Sequence, residues 1–169
     1  MAVNVQTKDL NLRPFAESDR QAMGAMLTNN QIRKTYMIPE LKNQEAVDRL
    51  FRRFLELSLS EDHYVAGIYR EDCLVGFLND VGKDTERIAL GYVIDPAYWG
   101  KGYATQALKA AVEDLFRRGY QEVVAGAFEE NAASIRVMIK VGMTKCSEEE
   151  DIDYLGTLHH CLYYSIKKQ

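Results

Sequence analysis

Residues 103–128 constrain the fold of this chain more than any other stretch. Ala104, Ala107, Leu108, Ala111, Val112, Leu115 and Phe116 recur at three- and four-residue spacing. They make one continuous apolar stripe, the pattern of a helix packed by one face against a core. Gly119 supplies its C-terminal stop. Immediately afterwards Val123-Val-Ala-Gly-Ala-Phe128 is almost wholly apolar, the pattern of a buried central strand. Burying such a strand requires a sizeable core. A chain of 169 residues buries roughly 70% of its unfolded surface without disulfide or metal staples.

The flanking segments alternate between strand and helix patterns, which points to an α/β (α+β) fold. Leu10–Phe15 reads as a strand ending near Pro14, and Ser18 as the N-cap of a helix that buries Met23, Met26 and Leu27. A polar turn follows, punctuated by Pro39. Asn43 caps a second helix, whose Val47, Leu50, Phe51, Phe54 and Leu55 share one apolar face. His63–Tyr69 and Cys73–Asn79 read as a hairpin joined through Arg70-Glu-Asp72, and Arg87–Ile94 as a further strand stopped by Asp95-Pro96. Asn131 opens a short helix ending at Gly142, and strands near 144–150 and 159–166 close a mixed sheet. Without linker, repeat or low-complexity tract, residues 1–169 read as one domain.

Composition excludes several classes. With 21 basic and 25 acidic residues the net charge is −4, which lacks the basic footprint of nucleic-acid binding. Cys73, Cys146 and Cys161 are an odd set without CxxC spacing, so they suggest neither a disulfide framework nor a zinc site. They read as buried or half-buried thiols of a reducing compartment. His159 and His160, adjacent on a strand, would face opposite ways and make a poor metal pair. No membrane-length apolar run or leader pattern is present, and the expectation is a soluble, cytoplasmic protein.

Two segments carry chemistry. Ile94-Asp-Pro-Ala-Tyr-Trp-Gly-Lys-Gly-Tyr-Ala-Thr-Gln106 lies between a strand end and a helix start, where unpaired N–H groups and the helix dipole favour an anion. Gly100 and Gly102 permit close backbone approach, Lys101 adds a cation, and Ala104 keeps the first turn small. A loop whose glycines merely turn the chain is the equal alternative for this segment alone. A P-loop is excluded by Asp95 and Gly102 at its required positions, and a dinucleotide fingerprint by Thr105. The second segment is Asn131-Ala-Ala-Ser134, ahead of Ile-Arg-Val-Met138 and ending Gly142-Met143. Alone, Asn131 is an N-cap, Ser134 a first-turn serine and Met138 core.

Together, strand, Pro, GxGxA loop, amphipathic helix, buried strand and NxxS helix ending in Gly-Met resemble the GNAT acetyl-CoA-dependent N-acetyltransferases. Asp95-Pro-Ala-Tyr-Trp-Gly-Lys-Gly-Tyr-Ala-Thr-Gln-Ala-Leu108 and the opening Leu12-Arg-Pro-Phe15 are most similar to the branch containing bacterial ribosomal-protein N-terminal acetyltransferases. The likeness covers nearly the whole chain, with its specific motifs in residues 91–143. It implies a mostly antiparallel sheet of about seven strands with about four helices, and two central strands splayed apart. It implies acetyl-CoA as co-substrate, with no metal. The pyrophosphate would lie on the backbone of Trp99, Gly100, Lys101, Gly102, Tyr103 and Ala104, with Thr105 next. Trp99 stands where Gln or Arg is common. Tyr92, Val93 and Ile94 would pair with pantetheine, Asn131 would bind it, and Ser134 would lie near the thioester sulfur.

Amide formation from a thioester requires a deprotonated amine, a donor for the tetrahedral oxyanion, and an outlet for the thiolate. A backbone N–H near Val93 or Ile94 is the candidate oxyanion donor. Many family members use Tyr seven residues after the motif Asn as acid, but Met138 stands there, so Ser134 is the candidate donor. Relatives often carry a basic Glu where this chain has Ala89, which leaves Glu86, Asp153 or water; Asp153 is the chosen carboxylate. The acceptor is expected to be a primary amine, such as a protein N-terminus, a polyamine or a small amine. Surplus carboxylates would suit a cationic one. A non-catalytic coenzyme-A-binding module of the same fold is the alternative, and a nucleotide-binding enzyme a third reading. Neither a nucleic-acid nor a membrane partner is expected, and the chain would be a monomer or homodimer.

Overall fold

A computed structural model describes residues Met1–Gln169. One eight-stranded sheet runs in the order β1-β2-β3-β4-β5-β6-β8-β7. Its strands are β1 (Val5–Gln6), β2 (Asn11–Arg13), β3 (Val65–Arg70), β4 (Cys73–Lys83), β5 (Arg87–Ile94), β6 (Glu122–Phe128), β7 (Thr144–Tyr154) and β8 (Thr157–Lys167). The helices are α1 (Arg20–Leu27), α2 (Asn30–Arg33), α3 (Gln44–Leu59), α4 (Tyr103–Arg117) and α5 (Ala132–Val141). Every neighbouring pair is antiparallel except β5 and β6, which α4 connects as a parallel crossover.

Each face of the sheet is buried by its own helices. Ile88 and Leu90 of β5, Val123, Ala125 and Ala127 of β6, and Leu162 and Tyr164 of β8 pack with Ala107, Leu108, Ala111 and Leu115 of α4 and Met138 of α5. Phe77 and Val93 face the other way, onto Met23, Met26 and Leu27 of α1, Ile32 of α2 and Phe51 of α3. The apolar stripes of α3 and α4 therefore seat on opposite faces. The first residues extend the sheet: Val5 pairs with Leu12, Val3 is fully buried, and Gln106 of α4 bonds both Thr7 and Asp9.

Several local expectations change. Ser18 does not cap α1. Glu17–Asp19 forms a 3-10 turn, and buried Asp19 accepts from the Ala16 N–H at 2.7 Å and the Tyr69 hydroxyl at 2.5 Å. A carboxylate held by a turn amide and a buried phenol outcompetes the exposed serine as organiser of this entry. The supposed polar turn after α1 contains α2, capped by Asn29 through the Gln31 and Ile32 amides. Asn43 does cap α3, accepting from Ala46 N at 2.9 Å. Cys73 is exposed rather than buried, its Sγ 3.2 Å from the Tyr98 hydroxyl. No helix is long and apolar enough to cross a membrane.

Gly76, in the middle of β4, is required by close approach. A Cβ there would stand 2.2 Å from the Val93 carbonyl oxygen on β5. Because backbone cannot yield as a side-chain tip can, Gly76→Ala is expected to cost about 2–3 kcal/mol. A lower denaturant midpoint at unchanged slope measures it.

Candidate active site

The ladder between β5 and β6 stops halfway. Arg87 pairs with Glu122, Ile88 with Val123, Ala89 with Val124 and Leu90 with Ala125, and there the two strands part. Gly91–Ile94 and Gly126–Phe128 remain bonded to their outer neighbours β4 and β8. A wedge therefore opens in the middle of the sheet, and its backbone edges lack strand partners. The next positions in register, Gly91 and Gly126, are both glycine and both face the α1–α3 side. A Cβ on Gly91 would meet the Tyr36 ring at 3.1 Å, and one on Gly126 the Tyr163 ring at 2.7 Å. Two tyrosines thus lie over two glycines at the point of divergence.

A cleft of about 610 Å³ occupies this opening. One end is the β5–α4 junction. Gly100 and Gly102 have φ of +77° and +78°, a left-handed backbone in which a glycine avoids the steric penalty of a side chain. No side chain caps α4, so the N–H groups of its first turn are free to face the cleft. The Trp99 indole donates to the Ile94 carbonyl at 2.7 Å and pins the loop to the end of β5. The lining includes Tyr92, Val93, Ile94, Trp99, Gly100, Gly102, Tyr103, Ala104 and Thr105 from this side. Lys101 is the exception: it is exposed and outside the lining.

The opposite wall is α5. Asn131 and Ser134 line the cleft, and the Asn131 carboxamide oxygen accepts from Ser134 N at 3.2 Å as an N-cap. The Ser134 hydroxyl lies 2.7 Å from the Tyr92 hydroxyl, which also stands 3.1 Å from the Ser134 carbonyl oxygen. Burial pushes the Tyr92 phenol up to about 12, against a smaller opposing effect of its bond to Ser134. Met138 is fully buried in the core, so the position where many relatives carry tyrosine here serves packing.

The sequence reading passed over Arg136 and Lys140, which line the cleft on the same stripe of α5 as Ala133 and Val137. Their three- and four-residue spacing was the available signal. It also missed Tyr36, whose hydroxyl lies 2.5 Å from the Asn79 carboxamide oxygen and whose pKa burial raises. Tyr36 lies in the stretch of ordinary composition around α2, where no spacing marks it.

Asp153 is not brought to this cleft. It is exposed near the tip of the β7–β8 hairpin. By register it shares a face with Leu158 and Leu162, opposite to Gly126, Phe128 and Tyr163. Strand parity decides this, since Glu150, Ile152 and Tyr154 take the other face. Glu86 is also outside the lining, in the turn before β5. Nor is the acidic run a free reservoir of charge. Glu148 pairs with Arg87 at 2.8 Å, Glu149 with Lys145 at 2.6 Å, and Asp151 with His160 at 2.7 Å. His159 turns the other way, stacked on Phe128 with Glu130 on its Nδ1. No group of three or more His, Cys, Asp or Glu side chains converges as a metal site would require.

With this geometry in place, comparison with known proteins assigns the class. Residues 9–144 match the family model described as an acetyltransferase (GNAT) domain. The chain belongs to the GNAT family, whose members are acetyl-CoA-dependent acetyltransferases. It is similar to two Bacillus subtilis (strain 168) proteins described as uncharacterized N-acetyltransferases. It is 32% identical to YnaD over 85% of this chain and 84% of that protein, and 26% identical to YoaA over 97% and 96%. Among solved structures, RimL, a ribosomal L7/L12 alpha-N-protein acetyltransferase in complex with coenzyme A, shares the fold. Its TM-score is 0.82 at 20% identity, covering 99% of this chain and 98% of that one.

The exposed pairing of His160 has a consequence for pH. Asp151 first, then Glu149, raise its pKa above the ordinary imidazole value near 6.5. A raised folded-state pKa stabilises fully below the unfolded value and is lost as pH rises through the folded one. His160→Gln is expected to flatten the fall in stability between pH 6 and 8, read from denaturant midpoints at each pH.

Proposed function

We propose that the chain transfers the acetyl group of acetyl-CoA to a primary amine by direct attack through a tetrahedral intermediate. The observation that carries this reading is the halt of β5–β6 pairing at Leu90 and Ala125 beside an uncapped helix N-terminus. It offers a strand edge for the amides of pantetheine and a cluster of N–H donors for the pyrophosphate. In this reading Gly100, Gly102, Tyr103, Ala104 and Thr105 hold the pyrophosphate with backbone amides. Lys101 adds charge from the rim, and Trp99 anchors the loop. Arg136 and Lys140 supply cations from α5. Tyr92, Val93 and Ile94 pair with pantetheine, Asn131 bonds it from the other wall, and an N–H near Val93 or Ile94 faces the developing oxyanion.

The acceptor approaches from the α1–α3 face, over Gly91 and Gly126 and between Tyr36 and Tyr163. It attacks as the free amine and gives its surplus proton to water, since neither Asp153 nor Glu86 reaches the cleft. Ser134 faces the departing sulfur. A protein or peptide N-terminus is the favoured acceptor class, because RimL, which shares the whole architecture, is named for that chemistry. The site would act within a single chain, in a reducing compartment such as the cytoplasm.

Acetyl-CoA at about 100 times its Kd is expected to stabilise the fold by about 2.7 kcal/mol, visible as a rise in melting temperature that ATP and NAD do not produce. Absence of any rise at millimolar acetyl-CoA would overturn the reading. In an assay of thiol release with peptide amines, Ser134→Ala is expected to lower kcat about 10- to 100-fold. Asp153→Asn is expected to stay within about twofold of the parent, as usual for an exposed group outside the site. A large loss in Asp153→Asn would restore that carboxylate as the base.

A further inference from the structure

The Tyr92 side chain lines the cleft wall, and its hydroxyl makes the sole side-chain hydrogen bond of the Ser134 hydroxyl. The contact crosses from β5 to the first turn of α5. Its proton arrangement decides what Ser134 can offer. If Ser134 donates to the phenol, its only proton is spent and the hydroxyl presents lone pairs to the cleft. If the phenol donates to Ser134 Oγ, the serine proton is free to point at a ligand. Either hydroxyl can donate across the observed 2.7 Å, and the phenol's other acceptor, the Ser134 carbonyl, stands farther off at 3.1 Å. Negative charge building in the cleft favours the second arrangement, because a chain of donors pointing one way polarises each member.

We propose that Tyr92 is a positioning residue, which donates to Ser134 so that the serine hydroxyl donates a hydrogen bond to the departing coenzyme A thiolate. This rests on the transferase reading above. In the step concerned, the amine nitrogen forms the C–N bond, the C–S bond breaks, and its electron pair stays on sulfur. The amine's surplus proton goes to water, and the thiolate is later protonated by solvent. Ser134 and Tyr92 keep their protons throughout. Passing a proton from a phenol held near 12 to a thiolate of ordinary basicity, near 8.5, is uphill by roughly a thousandfold or more. The pair therefore lowers the barrier by hydrogen bonding alone, which a serine too weakly acidic for general acid work can still provide.

Tyr92→Phe keeps the ring and removes the hydroxyl. Its kcat is expected to fall about tenfold with the KM for acetyl-CoA within about twofold. The decisive readout is the ionisation of the thiol of bound coenzyme A, followed by thiolate ultraviolet absorbance. Its midpoint should rise in Tyr92→Phe and in Ser134→Ala, and the double variant should be no worse than Ser134→Ala alone. Incorporation of 3,5-difluorotyrosine at position 92, a stronger donor in the same shape, should move that midpoint the other way, which tests the proposal even if Tyr92→Phe folds poorly. A Tyr92→Phe protein with parental kcat and parental thiol titration would overturn the inference while leaving the transferase reading intact. Failure of coenzyme A and acetyl-CoA to bind the parent protein would overturn both.

Discussion

Everything at the site depends on a ladder that stops after Leu90 and Ala125. Two adjacent parallel strands would ordinarily bond along their whole length, because unpaired buried amides are costly. Here each strand stays fixed to its outer neighbour, β5 to β4 and β6 to β8, so beyond the fork the two halves of the sheet diverge as paired ribbons. In β4 the register also shifts between Asp80 and Gly82, opposite Ala89 and Leu90. Such an irregularity adds local twist just before the two strands separate. The opening is therefore a built feature of the sheet. Its orphan groups face a cleft where a ligand of alternating amides can satisfy them.

The same geometry explains why two glycines stand at the fork. Neither Gly91 nor Gly126 has a left-handed backbone, so neither is there for its φ. Each is crowded by an aromatic ring lying on it, Tyr36 in one case and Tyr163 in the other, so that an added Cβ would have to displace the ring. Tyr36 is held by Asn79, and three residues earlier the Arg33 carbonyl accepts from the Tyr154 hydroxyl, near the tip of the β7–β8 hairpin, at 2.5 Å. That hairpin thus ties α2 and the segment after it to the far edge of the sheet. The α1–α3 side of the fork is walled by residues from four separate parts of the chain.

How much was legible from the sequence follows from this difference. The helix stripes of α3 and α4, the buried run of β6 and the glycines of the β5–α4 loop are local patterns, and each lies where its periodicity or backbone need indicated. The α4 and α5 walls of the cleft are made largely from contiguous segments, 92–105 and 131–140, so their motifs are visible in sequence. The side over Gly91 and Gly126 is made from long-range neighbours, in residues 30–42 and the late strands, whose composition is too ordinary to mark individual side chains. Tyr36 carries no spacing signal, and the sequence does not distinguish Tyr163 from Tyr164 as late-strand packing or as the lining of a pocket. Asp153 was misplaced because a strand selects by parity, and an acidic run offers carboxylates to both faces. Its neighbours are also mostly engaged with Arg87, Lys145 and His160. A run of charge in sequence is therefore no measure of free charge in space.

Met138 occupies the position on α5 where the family resemblance would place a tyrosine. At that position on α5, the buried side chain completes the packing between helix and sheet, and a hydroxyl there would need a partner in the core. The tyrosine hydroxyl reaches the cleft instead from β5, through Tyr92, and meets α5 one turn earlier at Ser134. The cost of burying that phenol is offset by its hydrogen bond to the Ser134 hydroxyl. Because the bond spans the two walls, it also helps fix the spacing between β5 and α5. A substitution that widened the cleft would lengthen the same bond that orients the serine. In this arrangement the width of the cleft and the direction of its hydroxyl are one geometric property.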